Sequence, residues 1–339
     1  MEIATKCKIL KLKMMNKKII YSLSTLLLAS SLFTACKNGD ADFPDYEGGT
    51  TVYFAYQYPV RTIILGDDES DTSLDKAYQC KIMATFGGSY SGSNGSVQVA
   101  VDPTLVNNLT FEDGSPVKAM PENYYSLETT DFRFNGGFTG GTVVQLTDAF
   151  FADPDAIKNT YVIPLVMTGQ TGFGKILTGT PVEGAAPVRT NPAAWEVQPM
   201  DYTLYCVKFI NKYAGYWLTN HTTSTENIET ANIVQITTKS LNTAVYTVSV
   251  EGQGNVDLLL TFDANENCTI TSLTAGVTAT GNGTWTDDGE KKSWGNKDRD
   301  LLELNYTIDF GGGTQSSTHE KLVWQRNGVT IEEFAPVYQ

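Results

Sequence analysis

Histidine is nearly absent, with only His221 and His319 in 339 residues. A Ser-His-Asp triad needs a positioned imidazole and an oxyanion site. No Gly-x-Ser-x-Gly elbow precedes a helix to supply its nucleophile. Cysteine is also scarce: Cys7, Cys36, Cys80, Cys206 and Cys268 are far apart and form no Cys-x-x-Cys pair. That spacing indicates neither a zinc ribbon nor a disulfide framework, and the last three read as small core residues among β-type neighbours. Positive charge is short. The whole chain holds 24 basic against 38 acidic residues, and the part after Ala35 holds 18 against 37, a net −19. Such a balance argues against nucleic acid, whose phosphates demand a basic face, and against an anionic membrane surface as partner. It suits a soluble extracellular body kept from aggregating.

Helical periodicity is missing too. The nearest helical stretch, Asp148 to Lys158, is limited by Pro154 to a turn or two. What is abundant is Thr, Val, Tyr and Gly, with turn clusters about every ten residues. Ser96 to Val101 puts Val97, Val99 and Val101 on one face, and Tyr161 to Met167 is a near-continuous apolar run. About seven such strands between Thr51 and Met167 fit an immunoglobulin-like sandwich. The Pro/Gly/Ala-rich stretch Gly179 to Pro199 reads as a linker. Beyond it, about eight short meandering strands fit an up-and-down, calycin-like antiparallel barrel, or a second sandwich. The expected fold is therefore all-β. The expected division is 1–35 leader, 36–48 acidic tether, 49–178 sandwich, 179–200 linker and 201–339 barrel or second sandwich.

The leader carries a motif. Lys17-Lys18 precede the apolar run Ile19 to Leu32, and Leu32-Phe33-Thr34-Ala35-Cys36 follows. Basic start, apolar middle and small residues at the cut define a signal peptide, and a cysteine directly after the cut is what thioether attachment of a diacylglycerol requires. Cys36 is thus the expected lipidated N-terminus, with Phe33 standing where Leu is usual. Met1 to Lys13 is too long and mixed for a basic start, so Met14 or Met15 is the expected first residue. The run is short for a membrane span and carries several serines. More than one acyl chain gives stable anchoring, and the acidic residues from Asp40 to Glu47 then form a solvated tether.

Three stretches of the first half, VYFAYQYPVRTIILGD, PENYYSLET and VVQLTDAFFADPDAIKNTYVIPLVMT, resemble the Ig-like N-terminal domain of surface lipoproteins from Bacteroidetes polysaccharide-utilisation loci. YTLYCVKFINKYAGYW, GEKKSWGNKDRDLLELNY and KLVWQRNG resemble the C-terminal domain of the same family. The resemblance covers most of the chain after Tyr46. It implies a starch-utilisation-system-like (Sus-like) accessory protein that holds glycan beside an outer-membrane transporter. The acidic stretch after Cys36 resembles that of lipoproteins exported to the outer face. Some relatives continue into a glycoside hydrolase module, but its Asp-x-x-Asp-x-Asp-x-Glu signature is absent here.

Sugar binding needs an exposed aromatic face ringed by polar groups. Trp294 stands alone as a large apolar residue between Asp287 and Asp300. With Asp288, Asn296, Asp298 and Arg299 it forms the candidate glycan platform; the competing reading has Trp294 closing the end of the barrel. Tyr90, in the loop Gly87 to Gly95, is a second candidate, and one of Tyr124 and Tyr125 is expected to be exposed. Trp217, Trp285 and Trp324 lie in strand patterns and read as core. Asp263 to Asn267 begins like an EF-hand loop but lacks the Gly and the closing Glu, so a β-turn is expected; Gly66 to Asp71 reads as a hairpin tip. No metal, cofactor or catalytic residue is expected. Two further functions stay open: a structural or adhesive surface protein, favoured by a large apolar patch, and a glycosidase, favoured by two carboxyls roughly 5–10 Å apart in a deep cleft.

Overall fold

The computed structural model describes residues 44–184, 186–223 and 230–339, with the side chains of 220–223 and 230–231 also left aside. The expected leader, Cys36 and the side chain of His221 fall outside the described part.

Two sheets form the first layer pair. One runs, in spatial order, Lys175–Ile176, Thr51–Tyr53, Gln79–Gly87, Thr139–Leu146 and Tyr125–Leu127. The other runs Glu332–Glu333, Pro59–Ile64, Tyr202–Ile210, Tyr161–Thr171, Ser96–Val101 and Asp131–Arg133. Strand alternation explains their packing. In Gln79–Gly87, Cys80, Ile82, Ala84 and Phe86 are buried while Lys81 and Met83 face out. In Ser96–Val101 the alternation buries Val97 and Val99, but Val101 is exposed where the strand ends. Tyr161–Met167 is buried throughout, as expected of a strand covered on both faces. Ile163, Leu165 and Met167 face the core between the sheets. Val162 and Val166 face a second cluster with Leu105, Phe111, Leu204 and Phe334.

The second part is a closed barrel of eight antiparallel strands, from Gly215–Thr223 to Gln315–Arg326, which pair with each other to shut the ring. Of the two architectures expected here, barrel and second sandwich, the barrel is the one formed. An eight-stranded ring is just wide enough for side chains to fill; Trp217, Tyr246, Leu258, Leu304, Leu322 and Trp324 do so. Gly281 and Gly283 let neighbouring strands close in, since a Cβ at either would lie 2.4 Å from the carbonyl oxygen of Asn305 or Glu303.

The expected boundary at 201 is corrected. Tyr202–Ile210 pairs antiparallel with Tyr161–Thr171 and parallel with Pro59–Ile64, so it is a central strand of the sandwich. After the barrel the chain returns: Glu332–Glu333 pairs with Pro59–Val60, and Val337–Tyr338 with Leu109–Thr110. The barrel is thus an insertion between two sandwich strands. The 179–200 stretch is not a connector between domains. Thr180–Pro181 pairs with Trp195–Val197, and Arg189 makes a two-pronged pair with the buried carboxylate of Asp201 at 2.9–3.1 Å. Asn211, at the crossing, fastens the barrel. Its amide donates to the carbonyls of Ser240 and Thr243 at 2.8 Å each.

Candidate functional site

The hairpin that links Thr278–Glu290 to Arg299–Asp309 is held by its own side chains. Asp298 accepts from the backbone N–H of Lys292 at 2.9 Å and pairs with Lys291 at 3.1 Å. These contacts hold its carboxyl below the usual range. Ser293 N–H donates to the carbonyl of Lys297, and the tip turns through Gly295 and Asn296 at positive φ (74° and 57°). Trp294 sits on this tip and is 67% exposed.

Arg299 lies beneath it, only 3% exposed. Its guanidinium carbon is 4.8 Å from the Trp294 ring centre and 6.0 Å from that of Trp324. Its Nε donates to the carbonyl of Trp294 at 3.0 Å, and its NH1 to that of Gln325 at 3.3 Å. Trp294 is not one of the residues that fill the barrel. It covers a buried cation, and much of its surface stays open to solvent.

The sandwich supplies the second wall. Lys297 pairs with Glu69 at 2.8 Å, and Asn327 donates to Asp68 at 2.8 Å and to the carbonyl of Asp67 at 3.3 Å. Asp67, Asp287 and Asp300 bring carboxylate oxygens within 4.8 Å of one another. Asp300 is 2% exposed; burial, reinforced by its acidic neighbours, pushes its pKa up to about 7, although the N–H of Asp288 donates to it at 3.0 Å. Lys76, paired with Asp67 at 2.9 Å, supplies the local positive charge, and that bond raises its own pKa.

Of the residues singled out from sequence, Trp294, Asn296, Asp298 and Arg299 share this hairpin, and Asp288 lies at its base. Trp294 and Asn296 face solvent, Asp298 locks the loop and Arg299 supports the ring. Tyr90 is elsewhere. The 66–76 segment leads into Gln79–Gly87 at one end, and Tyr90 follows that nine-residue strand at the other. Tyr124 and Tyr125 are both half-buried, and Tyr124 donates to Asp153 at 2.9 Å. The contribution of Glu69, Asn327 and Lys297 was missed; the acidic run Gly66 to Glu69 was its only trace in the sequence. Asp263 accepts from the N–H groups of Asn265 and Asn267, the expected β-turn.

Fold and hairpin together define an all-β protein: a two-sheet sandwich with an inserted barrel and an exposed tryptophan platform at their junction. The chain is 33% identical to a Bacteroides ovatus protein of unknown function whose crystal structure it matches with a TM-score of 0.77, over 87% of this chain and all of that one. It belongs to that protein's family. A domain-of-unknown-function model, DUF5627, matches residues 209–328, and a model described as a "-like, N-terminal domain" matches residues 46–174. A multidomain Bacteroides ovatus protein including DUF1735 is 10% identical, with a TM-score of 0.38 over 86% of this chain and 98% of that one. A candidate carbohydrate-binding protein from Bacteroides ovatus is 14% identical, with a TM-score of 0.26 over 85% and 70%. Likenesses at that level carry no argument here. No curated protein matches the chain.

Proposed function

We propose that this protein is a non-catalytic, surface-anchored glycan-binding lipoprotein that captures oligo- or polysaccharide for a Sus-like outer-membrane uptake system. The observation that carries the reading is the Trp294 platform. An indole that is 67% exposed yet braced on a buried guanidinium offers a fixed apolar face for the C–H surface of a pyranose. Asn296 and the Lys297–Glu69 pair stand beside it with donors and acceptors for hydroxyls. Acylation at Cys36 would tether the body outside the cell. Calorimetry against a glycan panel, with Trp294→Ala as control, tests the site.

One arrangement favours the hydrolase alternative. Asp300, its pKa raised to about 7, lies beside Asp287, and an acid paired with a carboxylate is what glycoside hydrolysis uses. Its burial at 2% keeps it from a sugar oxygen, which supports binding without cleavage.

A further inference from the structure

A cleft of about 720 Å³ opens on the sandwich, away from the Trp294 hairpin. Its walls are the hairpin from Phe111 to Lys118, the turn from Asp155 to Thr160, and the C-terminal strap at Glu333 to Ala335, with Lys208 in addition. The strap is tied down by the bond from Phe334 N–H to the carbonyl of Tyr58 and by the pairing of Val337–Tyr338 with Leu109–Thr110. The cleft therefore forms only when the chain returns from the barrel. Its volume falls in the range of about 300–1,000 Å³ typical of small-molecule sites.

The lining restricts the ligand. Three lysines and four carboxylates face the cleft, so its net charge is near zero. The lysines are already paired: Lys118 and Lys158 with Asp155 at 3.6 and 2.8 Å, and Lys208 with Glu332 at 2.6 Å. A phosphate would have to break those pairs and would face the carboxylates of Glu112, Asp113 and Glu333. A neutral ligand rich in hydroxyls can donate to those carboxylates and leave the lysine pairs intact. Phe111 and Phe334, with rings 5.0 Å apart, add an apolar wall. Asn159 adds a further pointer: its Oδ1 is buried without a hydrogen-bond partner. Unsatisfied buried acceptors are rare in native folds and call for an explanation; Asn159 lines the cleft, and a turn of its side chain into it would bring that acceptor to a sugar hydroxyl.

We propose that this cleft is a second carbohydrate site, independent of Trp294, that takes one or a few neutral sugar units. The proposal rests on the glycan-binding reading above. The test is calorimetry with an oligosaccharide that binds the full chain, run on the wild type and on Trp294→Ala, Asn159→Ala and the double variant, with a soak of wild-type crystals in the same sugar. The expected result is residual binding of one equivalent in Trp294→Ala, its loss in the double variant, an Asn159→Ala melting temperature no lower than wild type, and sugar seen in the cleft. Trp294→Ala without residual binding and a cleft without sugar would overturn the second site and leave the first standing. A wild type that binds no sugar would overturn both.

Discussion

The buried guanidinium of Arg299 lies 4.8 Å from the centre of the exposed Trp294 ring and donates to the carbonyl of the same residue. One side chain thus fixes both the backbone and the ring of the platform. Cation–π contacts contribute about 0.5–2 kcal/mol, and a hydrogen bond to a charged group about 1.5–3 kcal/mol. Arg299→Met is expected to lower stability by roughly 2–4 kcal/mol on those grounds. Chemical denaturation checks this. Arg299→Lys should recover only part of the loss, because an ammonium lacks the planar fork.

Trp294→Ala removes mostly exposed surface, so its stability should change by less than about 1 kcal/mol. Glycan affinity should fall at least about tenfold, the order expected when a sugar-stacking ring of this size is lost. Unfolding curves and calorimetry on the same preparation separate the two effects.

Stability should depend on pH in a stated direction. Burial raises Asp300 and Glu320 to about 7 each. Glu320 sits inside the barrel, where Tyr246 donates to it at 3.1 Å. A carboxyl with a raised folded pKa binds its proton more tightly when folded. Its contribution is therefore complete below the ordinary carboxylate range and is lost as pH rises through about 7. Melting temperature should accordingly fall between about pH 4 and pH 7. Glu320→Gln should flatten that slope, since a neutral amide does not titrate. A slope unchanged in both Glu320→Gln and Asp300→Asn would contradict the assignment.

Chelation should have no effect on binding. The proposed platform is the Trp294 ring and not the Asp67, Asp287 and Asp300 cluster, to which Lys76 lends positive charge. Affinity measured with and without EDTA should be the same.

Radiolabelled palmitate should enter the wild-type protein in cells and fail to enter Cys36→Ala, which should also be released from the membrane fraction. Label retained by Cys36→Ala would contradict lipidation at that residue.

Much of the fold was legible because burial follows alternation. The strand patterns around Trp217, Trp285 and Trp324 marked them as core, and each is at most 8% exposed. Cys80, Cys206 and Cys268 are buried and free, as small core residues should be. Trp294 stood out because nothing apolar flanked it, and it is exposed. The insertion topology was not legible. Tyr202–Ile210 looks the same whether it opens a new domain or completes an old sheet, because alternation does not name the partner strand. Its parallel partner, Pro59–Ile64, lies far back in the chain. Barrel closure likewise depends on pairing between the first and last strands, Gly215–Thr223 and Gln315–Arg326. The role of Arg299 was hidden for a similar reason, since a charged residue in an acidic, polar stretch carries no sign of being buried.

The central claim is that this surface grips carbohydrate without transforming it. The most direct test is to incubate the purified full chain with a panel of neutral oligosaccharides, measuring bound sugar by calorimetry and cleavage by chromatography in one sample. The expected result is saturable binding that weakens in Trp294→Ala, with every oligosaccharide recovered intact. No binding across the panel, or steady release of shorter sugars by the wild type, would contradict it.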